Sequence, residues 1–198
     1  MNSVRSKPEY HPLVIDPKRR HLVIASEGMA GAKSVKLALG TDQPQRFVRI
    51  LQISPLREDE GVTETLASFP PEWICMLPSE EFLRVRLRNL MRLAPADAAL
   101  YLTGSERFLW DCAAVAEGSG MSRNRIQMEL SGSAARRLYC PHCKTVTEGV
   151  TTNVICCPGC GHWLEVRDHF SRRTGAYAGV RVDAEAPGQI PKVMEVFL

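Results

Sequence analysis

The sequence has 198 residues, of which 44% are apolar and 24% are charged, and its formal net charge is +3. This composition is typical of a soluble globular protein that is long enough for one full core and a small second module. It excludes a membrane protein, because no stretch approaches the length of a membrane span. The first twenty residues lack the apolar core of a signal peptide, so we expect a cytoplasmic protein whose seven cysteines stay reduced.

Beyond an irregular N-terminal arm at residues 1–20, short β-branched runs alternate with helical stretches. Strands are predicted at residues 21–25, 47–53, 73–77, 98–102 and 125–130, and helices at 32–39, after Ser79 and after Ser105. Alternation of this kind is typical of a parallel sheet that is covered by helices on both faces. The sequence therefore predicts an α/β domain over residues 21–132, with a linker at 131–133.

Two of the predicted helices carry recognisable N-terminal caps. Ser79 precedes Glu80 and Glu81, and Arg88 and Arg92 lie towards the other end, which suits the helix dipole. Ser105 caps the next helix in the same way. The apolar stripes that should face the core are Leu83, Leu87, Leu90 and Met91 in the first helix, and Phe108, Leu109, Cys112, Ala113 and Ala116 in the second.

The carboxyl ends of the predicted strands are the place where a ligand would bind in such a sheet. Residues Ser26–Gly31 and Thr103–Ser105 would form the rim of a nucleotide site there. Glycines at a strand-to-helix turn are also needed for the turn alone, so this geometry does not establish nucleotide binding. The sequence offers no nucleophile–histidine pair, and we assign no catalytic and no cofactor-binding residue. Cys75 and Cys112 lie in apolar patterns and are expected to be inert buried thiols.

The most specific signal is a pair of Cys-x-x-Cys motifs, Cys140-Pro-His-Cys143 and Cys157-Pro-Gly-Cys160, separated by thirteen residues. Each motif can fold as a tight turn that points two thiolates at one position. Two such turns supply the tetrahedral four-sulfur shell that zinc or a single iron prefers. Paired disulfides are not expected in a reducing compartment. We therefore predict one metal ion bound by Cys140, Cys143, Cys157 and Cys160 in a rubredoxin-like ribbon at residues 136–170.

The identity of the metal is left open between zinc and iron, with zinc favoured. The thirteen intervening residues leave room for one short hairpin, predicted from Val146 to Ile155, and Lys144 follows the first motif where rubredoxins have glycine. A lysine beside the sulfur suits a metal that only holds structure. Because each motif already supplies two thiols, Cys156 is expected to pack, and His142 and His162 are not expected to bind the metal.

Residues 171–198 are predicted to be a docking tail. Between Arg136 and Arg181 the chain carries seven Lys or Arg against three Asp or Glu, with aromatic residues among them. A basic ribbon of this kind can serve a nucleic-acid module, but the charge surplus is small for strong phosphate binding. Arginine and tyrosine are favoured anchors at protein interfaces. We therefore expect the tail to become ordered against a protein partner and do not expect nucleic acid or a membrane.

Two stretches resemble known families, and the first is Tyr101–Leu130 with its turn Thr103-Gly104-Ser105. It is similar to the end of the nicotinamide-binding half of ferredoxin–NADP reductase-like flavoproteins, which have Cys-Gly-Pro at that turn. Their loop Gly-Gly-x-Gly-x-Thr-Pro corresponds here to Ser26-Glu-Gly-Met-Ala-Gly-Ala. These departures predict that the isolated chain binds NADPH weakly or not at all.

The C-terminal part resembles the DmmA-like subunits of dimethylamine monooxygenase. The resemblance rests on Tyr-Cys-Pro-His-Cys-Lys, on Cys-Cys-Pro-Gly-Cys-Gly-His-Trp-Leu and on the segment that begins at Asp168. It implies a multisubunit enzyme that uses NADPH and oxygen to demethylate dimethylamine, with haem and a flavin/iron–sulfur reductase on partner chains. This chain would then be a non-haem accessory subunit that assembles the complex or positions the reductase. Two alternatives stay open: a free-standing nucleic-acid module, and an electron relay through iron in the four-sulfur site.

Overall fold

The computed structural model describes residues 6–40, 46–54 and 59–198. The chain divides into two compact units. One comprises residues 10–132, which we call the α/β unit. The other comprises residues 133–198 together with the described part of the N-terminal arm up to residue 9, and we call it the ribbon unit.

The α/β unit is built on a five-stranded, wholly parallel sheet in the order β3-β2-β1-β4-β5. The strands are β1 (His21–Glu27), β2 (Phe47–Ile53), β3 (Ile74–Leu77), β4 (Ala99–Gly104) and β5 (Ile126–Leu130). The helices are α1 (Gly28–Leu39), α2 (Asp59–Leu66), α3 (Glu80–Arg92) and α4 (Glu106–Gly118), with short 3-10 turns at Pro71–Trp73 and Arg123–Arg125. This arrangement confirms the predicted parallel sheet flanked by helices.

Two apolar clusters lie on the two faces of this sheet. Successive strand residues alternate between the clusters, so that Val23 joins one and Leu22 and Ile24 join the other. The first cluster takes α3 and α4 through their predicted stripes, because Leu83, Leu87, Met91, Phe108, Leu109, Cys112, Ala113 and Ala116 are all buried in it. Ser79 and Ser105 cap these helices by accepting hydrogen bonds from the amides of Phe82 and Phe108. Helix α2 was not predicted: it is short, and among its residues whose burial is described only Val62 and Leu66 are buried.

The ribbon unit contains a second five-stranded sheet, in the order β7-β6-β10-β9-β8. Its strands are β6 (Arg136–Tyr139), β7 (Val146–Val150), β8 (Val154–Cys156), β9 (Trp163–Ser171) and β10 (Ala176–Arg181). Strand β10 is central: it runs parallel to β6 and antiparallel to β9. All other pairs in this sheet are antiparallel.

The predicted hairpin from Val146 to Ile155 is wrong. Strands β7 and β8 lie at opposite edges of the sheet and do not pair. Instead, each Cys-x-x-Cys motif forms the turn of its own hairpin, the first between β6 and β7 and the second between β8 and β9. The reason is that each motif already reverses the chain, so the segment between the motifs has to cross from one edge of the sheet to the other.

The segment predicted as a docking tail also differs from the expectation. Residues 176–181 form the central strand β10, so they are ordered within the chain itself. Ala176 and Tyr177 are both buried in the sheet, so the segment contributes apolar surface to the fold. Further on, the backbone near the end of the chain is hydrogen-bonded to residues 134, 151 and 153.

Among the described residues, no helix is long and apolar enough to cross a membrane.

A buried arginine, Arg136, packs within the ribbon unit. Arg136 on β6 is only 6% exposed, and its guanidinium carbon lies 4.0 Å from the ring centre of Tyr177 and 3.8 Å from that of Phe197. An Nη2 atom of Arg136 also donates to Asp168 Oδ1 at 2.7 Å. The guanidinium thus lies between two aromatic rings, and its edge is paired with the carboxylate of Asp168. An arginine can be buried in this geometry.

Candidate metal centre

The structure brings the four predicted ligand residues together. The Sγ atoms of Cys140, Cys143, Cys157 and Cys160 all lie within 4.8 Å of one another. Two of the pairs cross between the motifs, with Cys140 Sγ 3.8 Å from Cys160 Sγ and Cys143 Sγ 3.5 Å from Cys157 Sγ. Each hairpin therefore contributes two sulfur atoms to one cluster. Their role as metal ligands remains a prediction.

The backbone of the two motifs is arranged in the same way. The Cys140 amide donates to the carbonyl of Thr145, and the Lys144 amide donates to the carbonyl of Cys140. The Cys157 and Gly161 amides repeat this pattern with the carbonyls of His162 and Cys157. The repeated pattern means that each turn is fixed by its own hydrogen bonds and presents its two thiols in the same orientation.

Equivalent residues in the two turns have a positive φ. Lys144 has a φ of 68° and Gly161 has a φ of 72°, so both occupy the left-handed region at equivalent positions. Glycine adopts this conformation freely, whereas a lysine pays for it. The Lys144 Nζ donates to the carbonyl of Pro141 at 2.7 Å, which offsets part of that cost. Lys144 therefore affects the backbone conformation of the first turn as well as the charge beside the sulfur atoms.

Gly159 allows the second turn to approach the first. A β-carbon at this position would lie 3.0 Å from Cys143 Sγ and closer still to Thr145 Oγ1. Such contacts are tighter than side chains tolerate, so a larger residue would push the two turns apart. The glycine in Cys157-Pro-Gly-Cys160 is thus a packing requirement of the cluster.

Hydrogen bonding and burial affect the thiols of Cys143 and Cys160 differently. The hydroxyl and the backbone amide of Thr145 stabilise the Cys143 thiolate and lower its pKa to about 6. The pKa of Cys160 is affected first by a backbone hydrogen bond from His162, which lowers it. Burial and the neighbouring thiols outweigh that effect and raise the pKa of Cys160 to about 12. Four thiolates this close together would repel one another, so the site needs either bound protons or a metal cation to neutralise them.

The cluster fits a tetrahedral metal. Metal–sulfur bonds of about 2.3 Å in a tetrahedral shell place the sulfur atoms about 3.8 Å apart, close to the two separations across the motifs. Cys140 and Cys157 are buried, and Cys143 and Cys160 are partly buried. Four thiolates in this arrangement suit zinc and single iron alike, so the geometry leaves the choice between them open.

The neighbouring residues lie outside this cluster. Cys156 is exposed at the end of the edge strand β8, and its Sγ lies 3.5 Å from the carbonyl oxygen of Gly161. The expected packing role for Cys156 is therefore wrong. The rings of His142 and His162 pack edge to face with their centres 4.8 Å apart. Cys112 is buried as expected, and burial raises the pKa of its thiol well above the usual value, whereas Cys75 is only partly buried.

The rim of the parallel sheet contains an acidic group that sequence reasoning missed. Glu27, at the end of β1, accepts a hydrogen bond from the Ser105 amide through Oε2 at 2.7 Å. The Glu27 side chain also packs against Gly104, where an added β-carbon would lie 2.8 Å from Glu27 Cβ. A carboxylate from β1 thus occupies the N-terminus of α4, where a helix attracts anions. The signal in the sequence was the acidic residue directly before Gly28.

Both units match a described family. Residues 2–126 match the family described as "Dimethylamine monooxygenase subunit DmmA-like, N-terminal domain". Residues 137–180 match the corresponding C-terminal domain. The four cysteines all fall within the second match.

A curated relative and two solved structures are also similar. The chain is 38% identical over 112 residues to the heme-dependent oxidative N-demethylase delta subunit of Ectopseudomonas mendocina, a match that covers 57% of this chain and 64% of that relative. This is less than two thirds of the relative's length. Phthalate dioxygenase reductase aligns with a TM-score of 0.44 at 10% identity, over 68% of this chain and 45% of that one. CYP116B46 from Tepidiphilus thermophilus aligns with a TM-score of 0.45 at 16% identity, over 68% and 19%. These two scores are too low to support a functional assignment.

Proposed function

The chain belongs to the DmmA-like family of dimethylamine monooxygenase subunits, and we propose that it is a non-haem accessory subunit of such an enzyme, acting in the cytoplasm. The observation that carries the proposal is that the two family matches fall on both units of the chain. The name of the curated relative, a delta subunit of a heme-dependent oxidative N-demethylase, supports a place in a multisubunit complex. The haem, the flavin and the iron–sulfur cluster would belong to partner subunits, with NADPH and oxygen as co-substrates.

In this proposal the four cysteines hold one metal ion with a structural role. Cys140, Cys143, Cys157 and Cys160 would fill a tetrahedral shell completely, which leaves no position for a substrate or a water molecule. Zinc is favoured because Lys144 directly follows Cys143, and a lysine beside the sulfur suits a metal that only holds structure. A bound metal would supply the cross-link between the hairpins β6–β7 and β8–β9. Iron in the same shell would instead add a one-electron redox centre, which is the electron-relay alternative.

We expect the isolated chain to bind NADPH weakly or not at all. Glu27 already accepts a hydrogen bond from the amide of Ser105, the N-cap of α4, so a phosphate group would meet a carboxylate there. Calorimetric titration of the full chain with NADPH checks this. A dissociation constant in the micromolar range would contradict it. The substitution Glu27→Gln would then show whether the rim at Ser26–Gly31 faces the phosphate.

Co-expression with the haem and reductase subunits from the same organism tests the proposed function. We expect a stable complex on a sizing column and oxygen-dependent conversion of dimethylamine to methylamine and formaldehyde. The matched control omits this chain and should lose the intact complex or reduce the turnover. If the chain elutes alone beside both subunits, and turnover is the same without it, the accessory role is rejected. A shift of a DNA or RNA probe at physiological salt would favour the nucleic-acid alternative instead.

A further inference from the structure

The outer face of helix α3 exposes large apolar side chains. Phe82 is 60% exposed, Val85 is 50% exposed and Leu93, which caps the helix, is 85% exposed. The opposite face of α3 fills the core through Leu83 and Leu87. A surface helix usually keeps its outer face polar. The apolar residues on this face therefore do nothing for the α/β core that the structure describes.

Three arginines surround these side chains. Arg86, Arg88 and Arg92 are all exposed, and none has a hydrogen bond or ion pair within the part of the chain that the structure describes. The neighbouring Arg84 and Arg107 differ, because Arg84 pairs with Asp111 and Arg107 with Glu80. A favourable position in the last turn of α3 explains Arg92 alone. Arg86 and Arg88 have no comparable role within the unit.

A groove lies between α3 and α4 and shares Arg88 and Arg92 with this set of residues. Its volume is about 670 Å³, and the rest of its lining comes from the end of α4: Ala114, Val115, Gly118 and the C-cap Ser119. Arg88 and Arg92 are one helical turn apart and repel each other unless an anionic group lies between them. The small residues of α4 leave room for a side chain to enter. The groove thus combines space with two unneutralised cations.

We propose that the α3 face, defined as Phe82, Val85, Leu93, Arg86, Arg88 and Arg92, is the surface on which another subunit of the complex docks. This inference rests on the proposed function. The partner is a protein that presents carboxylates around an apolar ridge. Its carboxylates would pair with the arginines, which bind such groups in bidentate fashion, and its apolar ridge would cover Phe82 and Val85.

Charge and apolar exposure favour this occupant over two others. A second copy of the chain docked through the same face would oppose arginines to arginines, which costs free energy. A nucleic-acid backbone would satisfy the arginines but would leave Phe82, Val85 and Leu93 without an apolar partner. Only a surface that is acidic and apolar together complements the whole α3 face.

Affinity measurements with the purified haem and reductase subunits test the site. We expect the double substitution Arg88→Glu/Arg92→Glu in the full chain to weaken binding to one of these subunits by at least about tenfold and to reduce its salt dependence. Phe82→Ser should weaken the same interaction without changing the charge. The matched control is Arg172→Glu/Arg173→Glu, which makes the same charge change on exposed residues of the ribbon unit. Circular dichroism and metal content verify that each variant is folded.

The outcomes separate this inference from the proposed function. If the wild-type chain binds a subunit and Arg88→Glu/Arg92→Glu binds it equally well, the α3 face is rejected while the proposed function stands. Equal weakening by both double variants would also reject the site, because it would show only an effect of net charge. If the wild-type chain binds neither subunit, the proposed function fails and this inference fails with it.

Discussion

Cys157→Ala should release the metal and unfold the ribbon unit. Cys157 is a buried member of the four-sulfur cluster, and its removal leaves three thiols of which two are only partly buried. The free energy of binding a structural zinc is about 10–16 kcal/mol in small peptides at neutral pH. That is as large as the whole stability of a typical domain, about 5–15 kcal/mol. Both of the large apolar clusters lie in the α/β unit, so the ribbon unit depends on a smaller set of buried apolar residues, among them Leu138, Leu164 and Tyr177, together with the metal.

Elemental analysis and circular dichroism measure this effect. The wild-type chain should contain about one metal per chain, mostly zinc, whereas Cys157→Ala should contain almost none. The matched control is Cys156→Ala, because Cys156 is the adjacent thiol but is exposed and lies outside the cluster. A Cys157→Ala variant that stays folded with full metal content would show that Cys157 is not a ligand. A red protein with a ferric–thiolate spectrum would show that the bound metal is iron and not zinc.

Arg136→Ala should reduce the free energy of unfolding of the ribbon unit by about 3 kcal/mol, because a desolvated cation–π contact contributes up to about 2 kcal/mol and Arg136 makes two such contacts. The substitution removes the cation from between the rings of Tyr177 and Phe197 and leaves a void where the guanidinium lay. Asp168 is 67% exposed, so water can solvate it when the ion pair is lost. Most of the effect should therefore come from the stacking. The measurement is chemical denaturation of the metal-bound protein, in which release of the metal reports the unfolding of the ribbon unit.

A second arginine provides the comparison. Arg167 on β9 pairs with Glu165, but both side chains are largely exposed, so Arg167→Ala should cost less than about 1 kcal/mol. Arg136→Lys should recover little of the lost stability, because a lysine cannot stack flat between two rings. Equal effects of Arg136→Ala and Arg167→Ala would show that the burial of Arg136 contributes nothing special.

Local patterns in the sequence were sufficient for the α/β unit. The β-branched runs, the caps at Ser79 and Ser105 and the stripe at Leu83 and Leu87 each predict an element from residues that are neighbours along the chain. Because crossovers between parallel strands are right-handed and short, only a few orders of these strands in the sheet are possible. The pair of Cys-x-x-Cys motifs was equally informative, because the spacing of ligands within a turn is also local.

Pairing between distant strands could not be read in this way. The hairpin expected from Val146 to Ile155 was plausible from its length alone, yet the partner of β7 is β6 and the partner of β8 is β9. Nor does the sequence near Tyr177 show that β10 lies between β6 and β9. The contact of Glu27 with the Ser105 amide joins residues 78 positions apart. Such contacts depend on the assembled fold, which periodicity does not encode.

The central position of β10 determines how the metal cluster can assemble. The hairpins β6–β7 and β8–β9 share no direct strand pairing, and β10 bridges them by pairing with β6 on one side and β9 on the other. Insertion of β10 therefore holds the two pairs of thiolates near each other. A metal ion that is bound by one pair can then bind the second pair in an intramolecular step. Strand insertion and metal capture support each other. A defect in residues 176–181 would consequently be observed as poor metal retention, although none of those residues is a cysteine.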